Sequence, residues 1–438
     1  HCINGVLIWA TTQELVFEGN EVTVTGSVFN PVEPITAARI RFNIFRHHSP
    51  HSHASTFGLN TPRECLVEGN IWENTGRGVT QNCMPAHAWA LKHNLYMHNI
   101  FRNLRKTDGE IIYFETGNIS WHGSVSHVSG RKMTLSPAPD YNRIGQHNAA
   151  PGNQLPQRTV VISEGKGLGQ IREVTATDGA VIEVERPWDS EPDATSHVVI
   201  LTGAVVENLL VGNEYFDSHQ WVGIYGAGVR NAWVNDIYER VSGGTDLWKI
   251  DGYRLMALNL IYGNKYHERA GIAVVNSRDG GGETDKLQVF GNEIRNNSIE
   301  DRRYVSTENG QNAPRLLGWQ VRRDKSEKSN ALSPLPGREP GIGIFDMLGH
   351  PEMGAVETDP AYDTLPISTK WNLIYGNQIV RCPIGIEIGK AVGNTIIIGN
   401  LITGADLPIN DMGRGTRQDG NVVYQPDLKA LTSAPAAQ

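Results

Sequence analysis

Cysteine is scarce: four in 438 residues (Cys2, Cys65, Cys83, Cys382), too few for a disulfide scaffold and without the CxxC spacing of a metal site. Long apolar runs are missing as well. None approaches the ~18 residues of a membrane span, and no basic segment followed by an apolar one opens the chain, so a soluble protein with no membrane partner is expected. Basic charge is in deficit, 39 Lys and Arg against 47 Asp and Glu, for a net charge of −8. A phosphate-backbone binder needs a basic face, which argues against a nucleic-acid partner. The chain begins at His1 and not Met, which reads as a processed, cloned or incomplete N-terminus. Compartment therefore has to follow from function.

What is present is apolar and turn-rich. Hydrophobic residues make up 39% and charged residues 20%, enough for a large core and too structured for a disordered chain. The 47 glycines and 22 prolines imply many turns and few long helices.

A short β-rich run ending in Asn recurs at Asn20, Asn43, Asn70, Asn99, Asn213, Asn235, Asn264, Asn292, Asn377 and Asn400. Seven of the nine spacings fall between 22 and 29 residues, and the other two, 114 and 85, each hold an insertion. Each unit reads as an apolar strand, Gly-Asn, a second strand, a turn and a third strand such as Gly271-Ile-Ala-Val-Val. No 3.6 period intervenes, so the pattern predicts an all-β solenoid of stacked parallel strands, about ten coils long. An Asn at the tight turn tolerates the left-handed conformation, and its amide can bond the next copy.

On these residues the sequence resembles the right-handed parallel β-helices of the pectate-lyase-like superfamily. The resemblance covers about four-fifths of the chain and implies an Asn ladder between the second and third strands of each coil. It implies an architecture, since many chemistries share that scaffold. The expected organisation is N-terminal coils over 1–117, an inserted β-rich subdomain over 118–202, C-terminal coils over 203–424 with a long loop at about 301–340, and a tail over 425–438. Gly165-Lys-Gly-Leu-Gly-Gln lacks the ending of a phosphate loop and reads as a turn. Neighbouring turns could bring Cys65 to Cys83; the simpler reading is buried free thiols.

Stacking turns equivalent positions into columns about 4.8 Å apart, which replace linear motifs. Aligning third strands on their glycines yields one column of Glu110 and Asp246 with Gly223 between, and a second of Glu115, Asp251, Asn276 and Asp346. Glycoside hydrolysis needs a protonated acid and an ionised carboxylate, about 5 Å apart for retention and about 6.5–9.5 Å for inversion. The columns therefore predict a glycoside hydrolase with Asp251 and either Glu115 or Asp346 as acid and base, supported by Glu110 and Asp246. Trp89, Tyr113, Trp221, Tyr225 and Trp248 could stack on sugar rings or pack under the insertions, with Asn276, Lys249 and Arg254 beside them.

Two alternatives stand. Polysaccharide lyases on this scaffold use a Lys or Arg base, for which Lys249 and Arg254 qualify, with carboxylates holding Ca²⁺; no cofactor is expected otherwise. A non-catalytic tailspike or adhesin would bind glycan on the same surface. The histidines of His47-His-Ser-Pro-His-Ser-His53 match no zinc motif, so His51 and His53 are expected to bond sugar hydroxyls and no metal is assigned. Asp217, Glu239 and Glu268 align at one turn and are expected to face water in preference to Ca²⁺. A polysaccharide partner implies a secreted or periplasmic protein. Ile224, Ile272, Ile344 and Ile386 should line the interior.

Overall fold

The computed structural model describes residues 6–8, 11–24, 29–31, 34–47, 58–60, 62–75, 86–89, 91–104, 111–115, 121–140, 158–218, 222–241, 244–249, 254–267, 271–278, 286–301, 340–347 and 361–425. They form a parallel β-helix. The coil through residue 205 shows the plan: a two-residue strand Val205–Val206, then Leu209–Val211, Glu214–Phe216 and Val222–Tyr225. Stacked copies build a short-stranded wall and three longer walls. Walls one and two hold eleven strands each and wall three holds nine, all pairing in parallel. Among the described residues the α-helix is limited to Ala361–Thr364.

Parallel strands need no hairpins, so the turns between walls carry the winding. The turn from wall one to wall two has a residue in the left-handed region followed by a ladder residue: Gly69 then Asn70, Gly212 then Asn213, Gly376 then Asn377. Each ladder amide donates to the side-chain oxygen of the next coil at 2.9–3.1 Å, from Asn20 through Asn43, Asn70 and Asn99 to Asn213. The ladder resumes through Asn297, Asn377, Asn400 and Asn421. It lies between the first and second long strands of each coil. Two expected rungs are displaced: Asn235 occupies the left-handed position, so the rung is Asp236, and the rung expected at Asn292 is Asn297.

Asn292 belongs to a second ladder, one turn earlier, running Asn94, Asn208, Asn231, Asn259, Asn292 and Asn372 at 2.8–3.0 Å. The glycine preceding a rung does more than supply φ. The Phe42 ring of the coil below lies over Gly69, and a Cβ there would sit 2.6 Å from it. A side chain at the left-handed position projects along the stack, and the next coil must make room for it.

The interior repeats coil by coil. Ile224, Ile272, Ile344 and Ile386 are all buried in it as expected. On wall two a column of stacked rings, Phe45, Trp72, Phe101, Tyr215, Tyr238 and Tyr266, has centroids 4.6–5.2 Å apart, which adds ring attraction to burial.

After Ile112–Glu115 the chain leaves wall three and closes a six-stranded antiparallel barrel, from Trp121–Ser129 to His197–Thr202, before re-entering the solenoid at Val205. The barrel has its own core around Met133, Ile162 and Ile200. Its strand Arg158–Glu164 is buried on both faces, because Val161, with Ile171, Val199 and Leu201, packs on Val206, Val229, Ala257 and Phe290 of the short-stranded wall. The Gly165–Gly169 segment is the turn between two barrel strands. Cys65 is a buried free thiol and so is Cys382, as the simpler reading expected; Cys83 lies outside the described residues.

Candidate functional site

The pairing register of wall three fixes which predicted residues can meet. One row runs Tyr113, Gly223, Asp246, Ala273, Gly343, Glu387, Asn410. Another, two residues along each strand, runs Trp89, Glu115, Tyr225, Trp248, Val275, Phe345. The row between them, Phe114, Ile224, Leu247, Val274 and Ile344, is core. Because side chains alternate across a strand, the two flanking rows are outer positions.

The outer rows bring together Asp246, Tyr225 and Trp248. Asp246 sits between two small row neighbours, Gly223 and Ala273, and is 4% exposed. Beside it the Tyr225 ring meets the Trp248 ring edge-on, with centroids 5.6 Å apart. Trp248, Ala273 and Val275 form an apolar cluster with Phe345 and Met347. The Phe345 ring crosses Gly343, where a Cβ would lie 2.3 Å from it. Farther along, Glu387 accepts a hydrogen bond from Asn410 at 2.8 Å.

A different row, Lys249, Asn276, Asp346, has the opposite parity and is fully buried. Asp346 does not reach the outer face expected of it. Arg278 donates Nε to Oδ1 at 2.6 Å and a second nitrogen to Oδ2 at 2.9 Å, while Asn276, Ser368 and Thr369 donate to Oδ2 at 3.0–3.2 Å. With five donors in place, its oxygens hold the corner of the coil. Lys249 is spent similarly, donating to the Ser277 carbonyl at 2.8 Å. These three residues are therefore corrected from site residues to interior ones.

The misplacement has a simple source. Aligning Asp246–Asp251 with Gly271–Asn276 puts Asp251 beside Asn276, but the register pairs Lys249 with Asn276, a slip of two residues. The alignment of Gly223 with Asp246 and of Asn276 with Asp346 is as expected. The position opposite Gly223 is held by Tyr113. Glu110, Asp251, Trp221, His51 and His53 lie outside the described residues. Arg254 is buried just before the short strand Met256–Ala257.

Two of the turn carboxylates have side-chain partners. Asp217 accepts from Arg240 at 2.6 and 2.9 Å, and Glu239 from His267 at 2.8 Å; Glu268 lies outside the described residues. Among the described residues no three His, Cys, Asp or Glu converge on a metal position. Sequence reasoning missed Arg278, Glu387 and the second ladder; the Asn at 208, 231 and 259, each shortly before a rung of the first ladder, was the available signal.

No family model matches the chain, and no curated protein matches it. Among solved structures, the tailspike protein gp49 from Pseudomonas phage LKA1 is 10% identical with a TM-score of 0.26, covering 88% of this chain and 69% of that one. A PL6 alginate lyase in complex with a trisaccharide is 10% identical with a TM-score of 0.30, covering 95% and 82%. A mannuronic acid specific family 6 polysaccharide lyase from human gut microbiota is 10% identical with a TM-score of 0.24, covering 98% and 84%. Scores this low transfer neither a site nor an activity.

Proposed function

We propose that this protein binds and cleaves a uronate-containing polysaccharide laid along the outer face of wall three, by β-elimination and not by hydrolysis. A solenoid wall presents equivalent positions at a constant step, a linear surface suited to a linear polymer. The observation that supports the choice of chemistry is the spacing between Asp246 and the other described carboxylates of wall three. Glu387, three coils away in the same row, stands about 14 Å off along the stack, beyond the separation of a hydrolytic pair. Position 115 lies two coils away and one outer row across, and Asp346 is locked inside with Arg278.

Elimination needs one group to take the C5 proton beside the uronate carboxylate, so that the C4–C5 double bond forms as the C4–O bond breaks, with the departing oxygen taking a proton from water or from the protonated base, and a positive charge to offset the carboxylate. Asp246 is assigned the first role and Arg254 the second, with Tyr225 and Trp248 lining the sugar-binding row. The test is a panel of uronate and neutral polysaccharides incubated with the protein and read for reducing ends and for the ultraviolet absorbance of a new double bond. Both signals together, on uronate polymers only, are expected. Reducing ends without the double bond would establish hydrolysis, and glycan retention without either signal would make the surface a binding platform.

A further inference from the structure

The first ladder contains one residue that is not an amide. From Asn20 to Asn421 its other rungs are Asn, and Asp236 stands between Asn213 and Asn264, completely buried. Asp236 Oδ1 does what a rung oxygen such as that of Asn99 does, accepting from the Asn213 backbone N–H at 2.7 Å and from its side-chain amide at 3.1 Å. Its own backbone N–H donates to Asn264 Oδ1 at 2.7 Å. The difference is at the second side-chain atom. In other rungs that atom is an NH₂ donating to a wall-one carbonyl of the preceding coil: Asn213 to Tyr96 at 3.1 Å, Asn264 to Trp233 at 3.1 Å. The register row Tyr96, Leu210, Trp233 makes the Leu210 carbonyl the equivalent acceptor for position 236. In Asp236 the atom is Oδ2, buried and without a hydrogen-bond partner.

By the same equivalence, an ionised carboxylate would set that oxygen against two acceptors, the Leu210 carbonyl and Asn264 Oδ1, in a completely buried site. Leaving a buried charge unpaired is costly, and the ionisable groups that interact with it are the phenols of Tyr215, Tyr238 and Tyr266, none of them a cation. We propose that Asp236 is a neutral carboxylic acid that donates its proton as a surrogate ladder amide, and that its ionisation on the alkaline side loosens this one coil. The loosened rung leads through Ile237–Glu239 directly into Thr245–Lys249, the strand that carries Asp246, so the device acts under the candidate site. Burial raises the Asp236 carboxyl to about 7, with the two Asn213 hydrogen bonds working in the other direction.

The sign follows from linkage. The folded carboxyl holds its proton to higher pH than the unfolded one, so the rung's full stability is present in acid and is lost as pH rises toward the folded value. The experiment compares the parent with Asp236→Asn, whose amide needs no proton. Melting temperatures are expected to be similar near pH 4 and to diverge in favour of the variant as pH rises to 8. The parent's unfolding equilibrium constant relative to the variant's should grow about tenfold per pH unit from the unfolded carboxyl's range up to about 7, and level off above it. Infrared spectra of the parent should show a protonated-carboxyl band at pH 6 that fades by pH 9. A melting difference that stays constant with pH, or no protonated-carboxyl band in the folded parent, would overturn the proposal. The spectroscopic arm needs only the parent protein and holds even if the variant fails to fold.

Discussion

Arg278 grips Asp346 through both guanidinium-facing oxygens, at 2.6 and 2.9 Å, with both residues buried. The pair joins successive coils of wall three and also ties in Ser368, at the entry of the next short strand. It accounts for why a carboxylate that aligns well with an acidic column lies inside the wall.

Removing one partner of that pair leaves the other charged and buried. Arg278→Met should cost roughly 3–5 kcal/mol, read as a fall in denaturant midpoint. The joint change Arg278→Met with Asp346→Leu should recover much of that loss, since a matched apolar pair replaces a matched ionic one. Equal loss in the single and double variants would contradict the assignment.

The register of the coils makes a second, sharper contrast. Ile272→Ala, in the interior, should cost about 2–5 kcal/mol. Leu209→Ala, on the outer face of wall one and 37% exposed, should stay within about 0.5 kcal/mol. A costly Leu209→Ala beside a harmless Ile272→Ala would mean that inside and outside have been exchanged.

These residues also show what sequence could and could not give. The apolar positions and the Gly-Asn turns repeat with the coil, so the solenoid and its interior isoleucines were legible. The site was not. Between Asp246 and Asn276 the loop differs in length from coil to coil, and a two-residue slip carries a carboxylate to another position without disturbing the apolar pattern. Asp236 was hidden for a related reason: Asn235 beside it satisfies the same Asn signature while filling the turn position that glycine fills elsewhere.

The barrel meets the solenoid through a mixed seam. Lys92 is buried with its ammonium 3.8 Å from Glu173 and no hydrogen bond on Nζ, while Arg63 reaches the other Glu173 oxygen at 3.2 Å. Burial lowers the Lys92 ammonium to about 8. The folded value lies below the unfolded one, so the folded protein is penalised at neutral pH and relieved as pH climbs from about 8 toward 10.5. Lys92→Met should therefore raise the melting temperature at pH 7, with the gain shrinking above pH 9. A gain independent of pH would point to packing alone.

Burial also protects the Cys65 thiol, pushing it up to about 11. Native protein at pH 8 should leave Cys65 unalkylated by iodoacetamide, and unfolded protein should react fully, as mass mapping of the Cys65 peptide would show. Rapid labelling of the native state would contradict the packed coil around it.

The most direct measurement of the central claim compares the parent, Asp246→Asn and Asp346→Asn on a uronate polysaccharide, following double-bond absorbance per folded molecule. The account predicts product from the parent, almost none from Asp246→Asn at unchanged melting temperature, and retained turnover from a less stable Asp346→Asn. A fully folded but inactive Asp346→Asn beside an active Asp246→Asn would contradict it.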